Sequence, residues 1–140
     1  MRFVFDTNVV VAAMRSPSGA SAELLRAARQ SRVILLANVA LALEYESTCQ
    51  LAEHRLAAQL QQDQVGVFID ALLAMVDPVE THFIWRPQLR DPGDELVLEA
   101  AVNGQADAIV TFNVRDFGIV PRLFGIDVLL PAEALRRIGK

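Results

Sequence analysis

The segment RFVFDTN, residues 2–8, decides the fold of this chain. Its apolar start and acidic end predict a buried strand over Arg2–Asp6, because a short apolar run that stops at a polar residue is typical of a strand inside a sheet. A second segment of the same kind predicts a strand over Ala108–Phe112. Other apolar runs predict strands over Val33–Leu36, Val79–Ile84 and Ile126–Leu129.

Helical patterns fill the intervals between these strands. Pro92 at a first helical position, after Asp91, predicts a helix that ends near Val102. The other helices are predicted over Asn8–Met14, from an N-cap at Ser21 to about Gln30, and over Ala40–Cys49, Leu51–Leu60, Gln62–Met75 and a short stretch from Pro131. Alternating strands and helices predict an α/β fold with a mostly parallel central sheet that is covered on both faces.

Length and composition limit the classes of protein. The 140 residues, 53% of them hydrophobic, are expected to form one domain over residues 1–140 with a substantial core. The single cysteine, Cys49, cannot form an internal disulfide and is expected in the core, which favours a cytoplasmic location. The longest uncharged stretch, Val33–Leu43, is too short for a membrane span, and Asp6 interrupts any signal-like run, so no membrane association is expected.

The basic residues exclude several kinds of chemistry. Twelve of the thirteen are arginine, and the one lysine is Lys140. A P-loop or Schiff-base enzyme needs an internal lysine, so neither fits this chain. The net charge of −4 gives no indication of nucleic-acid binding by itself.

Polar side chains follow two of the predicted strands. The first group is Asp6, Thr7 and Asn8, and the second is Thr111, Asn113 and Asp116. Parallel sheets bind ligands at the carboxyl ends of their strands, and carboxylates placed together there raise each other's pKa unless a cation is present. Such oxygen clusters suit Mg²⁺ or Mn²⁺. The alternative is that Asp6 and Asn8 only cap the next helix.

Three further pairs of acids lie on predicted helices. Glu44 and Glu46 are two residues apart and cannot share a helical face, so at most one of them points at a common site. Asp91 and Asp94 fit the start of their helix as cap and first-turn acid, and a first-turn acid can also point at a nearby site. Glu95 and Glu99 are expected to be solvent charges, and the two histidines, His54 and His82, lack metal-ligand spacing.

Taken in order, these pieces resemble a PIN domain. They are Val4-Phe5-Asp6-Thr7-Asn8, Leu43-Glu44-Tyr45, Arg90-Asp91-Pro92-Gly93-Asp94-Glu95 and Ala106–Phe117. The resemblance covers nearly the whole chain and is closest to small single-domain toxins of type II toxin–antitoxin pairs. It implies a three-layer α/β/α sandwich and a metal-dependent ribonuclease with Mg²⁺ or Mn²⁺ as cofactor. It also implies RNA as substrate, a cognate antitoxin as partner and a homodimer.

The resemblance assigns roles to particular residues. Asp6, Glu44 and Asp94 match the three core acids of the family. The fourth position, usually an aspartate, is Asn113, which keeps an oxygen but loses the charge, so Asp116 is the candidate to replace it as catalytic residue and metal ligand. The supporting residues are expected to be Thr7, Asn8, Asp91 and Thr111, with Arg15, Arg86, Arg90 and Arg115 as phosphate contacts.

Two other functions stay open on the sequence. Asn113 is compatible with a PIN-like binding or regulatory module that has lost activity. An acid after the first strand also occurs in phosphatases with an aspartyl nucleophile, although Asn8 stands where such an enzyme has its second aspartate.

Overall fold

The computed structural model describes residues 1–82, 89 and 91–139, in which strands and helices alternate. The strands are β1 (Arg2–Phe5), β2 (Ile34–Ala37), β3 (Val76–Pro78), β4 (Ala108–Val110) and β5 (Asp127–Leu129). The α-helices are α1 (Thr7–Arg15), α2 (Ala20–Arg29), α3 (Val39–Cys49), α4 (Ala52–Ala58), α5 (Gln62–Met75), α6 (Pro92–Asn103), α7 (Val120–Leu123) and α8 (Pro131–Ile138). Within those ranges, no helix has both the length and the apolar character needed to span a bilayer.

The strands form one parallel sheet in the order β3-β2-β1-β4-β5. Val4 at the centre of β1 pairs with Leu36 on one side and Ile109 on the other. Strands β2 and β3 are added in turn on one side of β1, and the chain then crosses over so that β4 and β5 lie on the other side of β1. Strand order therefore reverses between β1 and β4, and the crevice at the carboxyl ends of two such strands is the usual ligand position in an open α/β sheet.

The core lies on both faces of the sheet. Phe3, Val4 and Phe5 are consecutive in β1 and all fully buried, and because their side chains alternate between faces, both faces must be covered. Helix α6 packs against β1, β2 and β4. The predicted three-layer α/β/α architecture with a parallel sheet is confirmed, and Cys49 is buried as expected.

One predicted strand is wrong. Residues 79–82 are not in a strand, and residues 83 and 84 lie outside the described residues. The edge strand instead begins at Val76, directly where α5 ends, and pairs with Leu35–Ala37 of β2. Pro78 ends this strand without a backbone donor, as befits a sheet edge. Helix α5 therefore leads directly into strand β3, with no linker between them.

Three polar residues also differ from expectation. Helix α2 starts two residues earlier than predicted, with Gly19 as N-cap, so Ser21 is buried inside the helix and does not cap it. Glu95 and Glu99 are 5% exposed and are not solvent charges. Both residues belong to α6. This helix packs against three strands and against α3, so the helix face that carries the two glutamates is covered. Glu95 accepts a hydrogen bond from the backbone N–H of Leu89.

Candidate active site

Asp6 lies at the point where strand order reverses. Its backbone N–H donates to the carbonyl of Val110 at 2.9 Å, and its Oδ2 accepts a hydrogen bond from the Thr111 hydroxyl at 2.7 Å. Thr111 is fully buried, and its Oγ1 also accepts from the backbone N–H of Asn113 at 2.9 Å. Asp6 occupies the N-cap position of α1, yet among the described residues its side chain makes no capping hydrogen bond. The carboxylate is thus held by Thr111, the residue that follows β4, and is not used as a helix cap.

Helix α3 brings Glu44 to the same place. Glu44 accepts a hydrogen bond from the Thr7 hydroxyl, whereas Glu46 is exposed. This agrees with the expectation that only one of the two glutamates can face a common site.

Helix α6 completes the group with its first turn. Asp91 accepts a hydrogen bond from the Gly93 N–H at 2.7 Å and so caps the helix, while Asp94 is 7% exposed. A Cβ atom at Gly93 would lie 3.1 Å from Glu44 Oε1 and 3.1 Å from Asp91 Oδ1. Glycine therefore lets the start of α6 approach Glu44 closely.

These side chains line one cavity of about 630 Å³. The predicted site residues on its walls are Asp6, Thr7, Asn8, Arg15, Glu44, Asp91, Asp94 and Asn113. Asp116 and Arg115 line an adjoining cavity, which shares Asp91 and Asp94 with the first. Arg86 and Arg90 lie outside the described residues.

Burial and the neighbouring negative charges raise the pKa of two of these carboxyl groups, Asp94 and Asp6. The pKa of Asp94 rises from an ordinary 3.8 to about 7, first because the carboxyl is buried and then because of the charges on Asp6, Asp91, Asp116 and Glu44. Burial also raises the pKa of Asp6, and the charges of Glu44 and Asp91 raise it further, although hydrogen bonds from the Thr111 hydroxyl and the Thr7 backbone N–H act in the opposite direction. Removing this mutual repulsion requires either protons or a cation.

The donor set fits a hard divalent cation. Its atoms are carboxylate oxygens, with the amide oxygen of Asn113 on the same cavity wall, and oxygen ligands are those that Mg²⁺ and Mn²⁺ prefer. Over the described ranges, no group of three or more Asp, Glu, His or Cys side chains is arranged so that it could hold a metal ion. Mg²⁺ usually keeps several waters and binds through one or two carboxylates, so a complete protein cage is not required.

Tyr45 is hydrogen-bonded to the backbone of the residue before Asp6. Its side chain is fully buried, and its hydroxyl donates a hydrogen bond to the carbonyl oxygen of Phe5, the residue before Asp6. Burial, first, and then the charges of Asp6 and Glu44 raise the pKa of Tyr45, so it remains a neutral donor.

Tyr45→Phe is expected to lower the free energy of unfolding by about 1–2 kcal/mol, because it removes this buried hydrogen bond and leaves the ring in place. Urea denaturation followed by circular dichroism measures the change. The slope of the transition should stay constant, since the surface exposed on unfolding hardly changes. An unchanged midpoint would show that the hydroxyl contributes nothing to stability.

The sequence analysis did not assign His54 to the site. His54 of α4 lines the wall, and its Nδ1 lies 3.2 Å from Nη1 of Arg15. Nothing in the sequence around His54 signals this contact, because it arises from the packing of α4 against α1.

Comparison with known proteins agrees with this architecture. A PIN domain family model matches residues 2–115. The fold is similar to that of a chain in the crystal structure of VapBC2 from Rickettsia felis bound to a DNA fragment from their promoter. The TM-score is 0.61 at 13% identity, over 91% of this chain and 97% of that chain. None of the curated proteins matches this sequence. Because the family model spans most of its length, including Asp6, Glu44, Asp91 and Asp94, the chain belongs to the PIN domain family.

Proposed function

We propose that this chain is a Mg²⁺- or Mn²⁺-dependent endoribonuclease that hydrolyses RNA phosphodiester bonds. One observation carries the proposal: Asp6, between β1 and α1, meets Glu44 of α3 and Asp94 of α6 in one cavity. Family membership supports nuclease chemistry in general, and PIN domains typically depend on divalent metal ions. Single-stranded RNA fits an open cavity of this kind, since its backbone is accessible.

Each acid has a distinct part in holding the metal. Asp6 and Asp94 would provide buried carboxylates, and Glu44 a partly exposed one, with Asn113 and Asp116 as weaker or outer ligands. Thr111 and Thr7 hold Asp6 and Glu44 by their hydroxyl groups, which fixes the directions of the carboxylate oxygens. Asn8 and Asp91 line the same wall. When bound, a divalent ion would lower the pKa of a water for attack on the phosphodiester and stabilise the charge on the leaving oxygen.

The metal requirement provides the direct test. The chain should cut a labelled single-stranded RNA when Mn²⁺ or Mg²⁺ is present, and EDTA should reduce cleavage to background until the metal is restored. Asp6→Asn, which keeps the shape of the side chain and its contact with Thr111 but removes the charge, should abolish the activity. Cleavage that persists in EDTA, or an active Asp6→Asn variant, would contradict the proposal.

A second function is favoured by one residue. Asn113 stands on the cavity wall where the resemblance leads us to expect an aspartate, and a binding or regulatory module without activity would be the consequence if its missing charge cannot be replaced. Calorimetric titration with Mn²⁺ separates the two functions. The absence of both binding up to millimolar Mn²⁺ and RNA cleavage would favour the inactive module.

We also propose that the chain is a toxin that a cognate antitoxin holds inactive, and that it forms a homodimer. The support is its similarity in fold to a chain of the VapBC2 structure, together with exposed apolar side chains such as Val39, Leu43 and Leu56. Size-exclusion chromatography with light scattering tests the dimer, and a monomer at high concentration would exclude it. Expression with and without any small reading frame that adjoins the gene tests the antitoxin.

A further inference from the structure

The cavity has a cationic end as well as an acidic one. Arg15 and His54 lie on the wall that also carries Asp6, Glu44 and Asp94. Arg15 is the last residue of α1, and His54 belongs to α4, which packs against that helix. In the part of the chain that the structure describes, no carboxylate forms an ion pair with Arg15. A guanidinium at the edge of an acidic cavity is thus left for an anion from outside.

His54 holds Arg15 in this position. A guanidinium has only donors, so in the 3.2 Å contact His54 Nδ1 must accept the hydrogen bond from Arg15 Nη1. The neutral ring then carries its proton on Nε2, which lies 3.6 Å from Oε1 of Glu53. The His54 side chain is only 17% exposed, so its ring is fixed by packing. One N–H group of the Arg15 guanidinium is thus bonded to His54, and its other N–H donors are available to a ligand.

We infer that Arg15, positioned by His54, binds the RNA phosphate next to the one that is cleaved. The inference rests on the proposed function, because it assumes that the acidic end of the cavity holds the scissile phosphate. A guanidinium binds phosphate oxygens in a bidentate manner, which sets the register of the strand as well as its affinity. Phosphate contacts of this kind position the nucleic acid without reading its sequence. Arg15 is therefore a binding residue and His54 a positioning residue.

A purely structural role for Arg15 is the competing explanation. A cation in the last turn of a helix interacts favourably with the helix dipole, and this alone could account for an arginine at the end of α1. That role would affect stability but would leave the salt dependence of RNA binding unchanged. The salt dependence therefore distinguishes the two explanations.

The test compares Arg15→Gln with a matched control, Arg29→Gln. Arg29 is exposed on α2, is the same residue type and lines a different groove. Binding of a labelled six-uridine RNA is followed by fluorescence anisotropy in Mg²⁺, over a series of salt concentrations and before measurable cleavage. We expect Arg15→Gln to weaken binding about tenfold and to reduce the slope of log K against log salt by about 0.7, the value for one contact to a single strand. Arg29→Gln should change neither.

Variants of His54 test the positioning role. His54→Asn keeps an acceptor oxygen where Nδ1 lies, whereas His54→Leu removes it. We expect His54→Leu to lose part of the RNA affinity and of the salt slope that Arg15→Gln loses. His54→Asn should keep the affinity and the salt slope of the wild type.

Equal behaviour of Arg15→Gln and Arg29→Gln, or weaker RNA binding by Arg15→Gln with an unchanged salt slope, would overturn the inference. If the wild-type chain neither binds nor cuts RNA, the proposed function itself fails; if it does both and Arg15→Gln matches it, only the phosphate site fails.

Discussion

Asp94→Asn is expected to abolish metal-dependent cleavage and, at the same time, to stabilise the metal-free protein at neutral pH. The loss of activity should be about 10²–10³-fold, because a metal site contributes several kcal/mol of charge stabilisation in the transition state and each 1.36 kcal/mol is a factor of ten. The gain in stability follows from the electrostatics of the cavity. Asparagine has nearly the same shape as aspartate but adds no charge to those of Asp6, Asp91, Asp116 and Glu44.

The stabilisation should depend on pH with a definite sign. The pKa of Asp94 is about 7 in the folded chain and 3.8 as a free group, so between these values the folded state binds a proton that the unfolded state has lost. Stability from this group therefore falls as the pH rises from about 4 to 7, and the full penalty is present above pH 7. Asp94→Asn removes the penalty, so its advantage should be largest at pH 8 and vanish towards pH 4.

Thermal unfolding in EDTA at pH 4.5 and pH 8 measures this effect. We expect the melting temperature of Asp94→Asn to exceed that of the wild type at pH 8, by roughly 2–4 °C for each 1 kcal/mol of stabilisation, the ratio for a domain somewhat larger than this one. Asp70→Asn, at an exposed acid of α5, is the matched control and should have no effect. Equal melting temperatures for Asp94→Asn and the wild type at pH 8, or the same gain at both pH values, would contradict the electrostatic argument. Added Mn²⁺ should stabilise the wild type more than the variant, because a ligand stabilises only the state that binds it.

The central part of the site was predictable because it follows from local patterns and one topological rule. Apolar runs mark β1 and β4, and parallel strands place their carboxyl ends at one edge, so Asp6 and Thr111 had to be near each other. The structure confirms this with a hydrogen bond of 2.7 Å between their side chains. The start of α6 could also be predicted, because Asp91 before Pro92 is a local capping signal that does not depend on tertiary structure.

The features that could not be predicted depend on which surfaces pack together. Glu95 and Glu99 read as solvent charges, yet α6 is covered by three strands and by α3. The contact between Arg15 and His54 joins two residues that are 39 positions apart in the sequence and lie on different helices. Periodicity along one helix cannot show what lies against its polar face, so the sequence indicated Arg15 as a phosphate contact but did not indicate that His54 lies beside it.

Substitutions of Glu44 and Glu46 are expected to differ widely in their effect on activity. The two glutamates are two residues apart on α3, but only Glu44 lines the cavity and accepts the hydrogen bond from Thr7, whereas Glu46 is exposed to solvent. Both residues contribute the same charge to the chain and the same propensity to the helix. A difference in activity between Glu44→Gln and Glu46→Gln therefore reports the position of the carboxylate and not the net charge or the stability of α3.

We expect Glu44→Gln to reduce RNA cleavage about 100-fold in Mn²⁺, because glutamine can still accept the hydrogen bond from Thr7 but no longer offers a charged ligand. Glu46→Gln should stay within about twofold of the wild type, as a surface substitution of this kind leaves the fold within ±0.5 kcal/mol. Initial rates at saturating RNA, with Mn²⁺ varied, separate weaker metal binding from a slower chemical step. A loss for Glu44→Gln that high Mn²⁺ restores would assign the carboxylate to metal affinity, since extra metal compensates only for weakened binding. Equal rates for the two variants would mean that the α3 carboxylate in the cavity takes no part in the reaction, which would then depend on Asp6 and Asp94 alone.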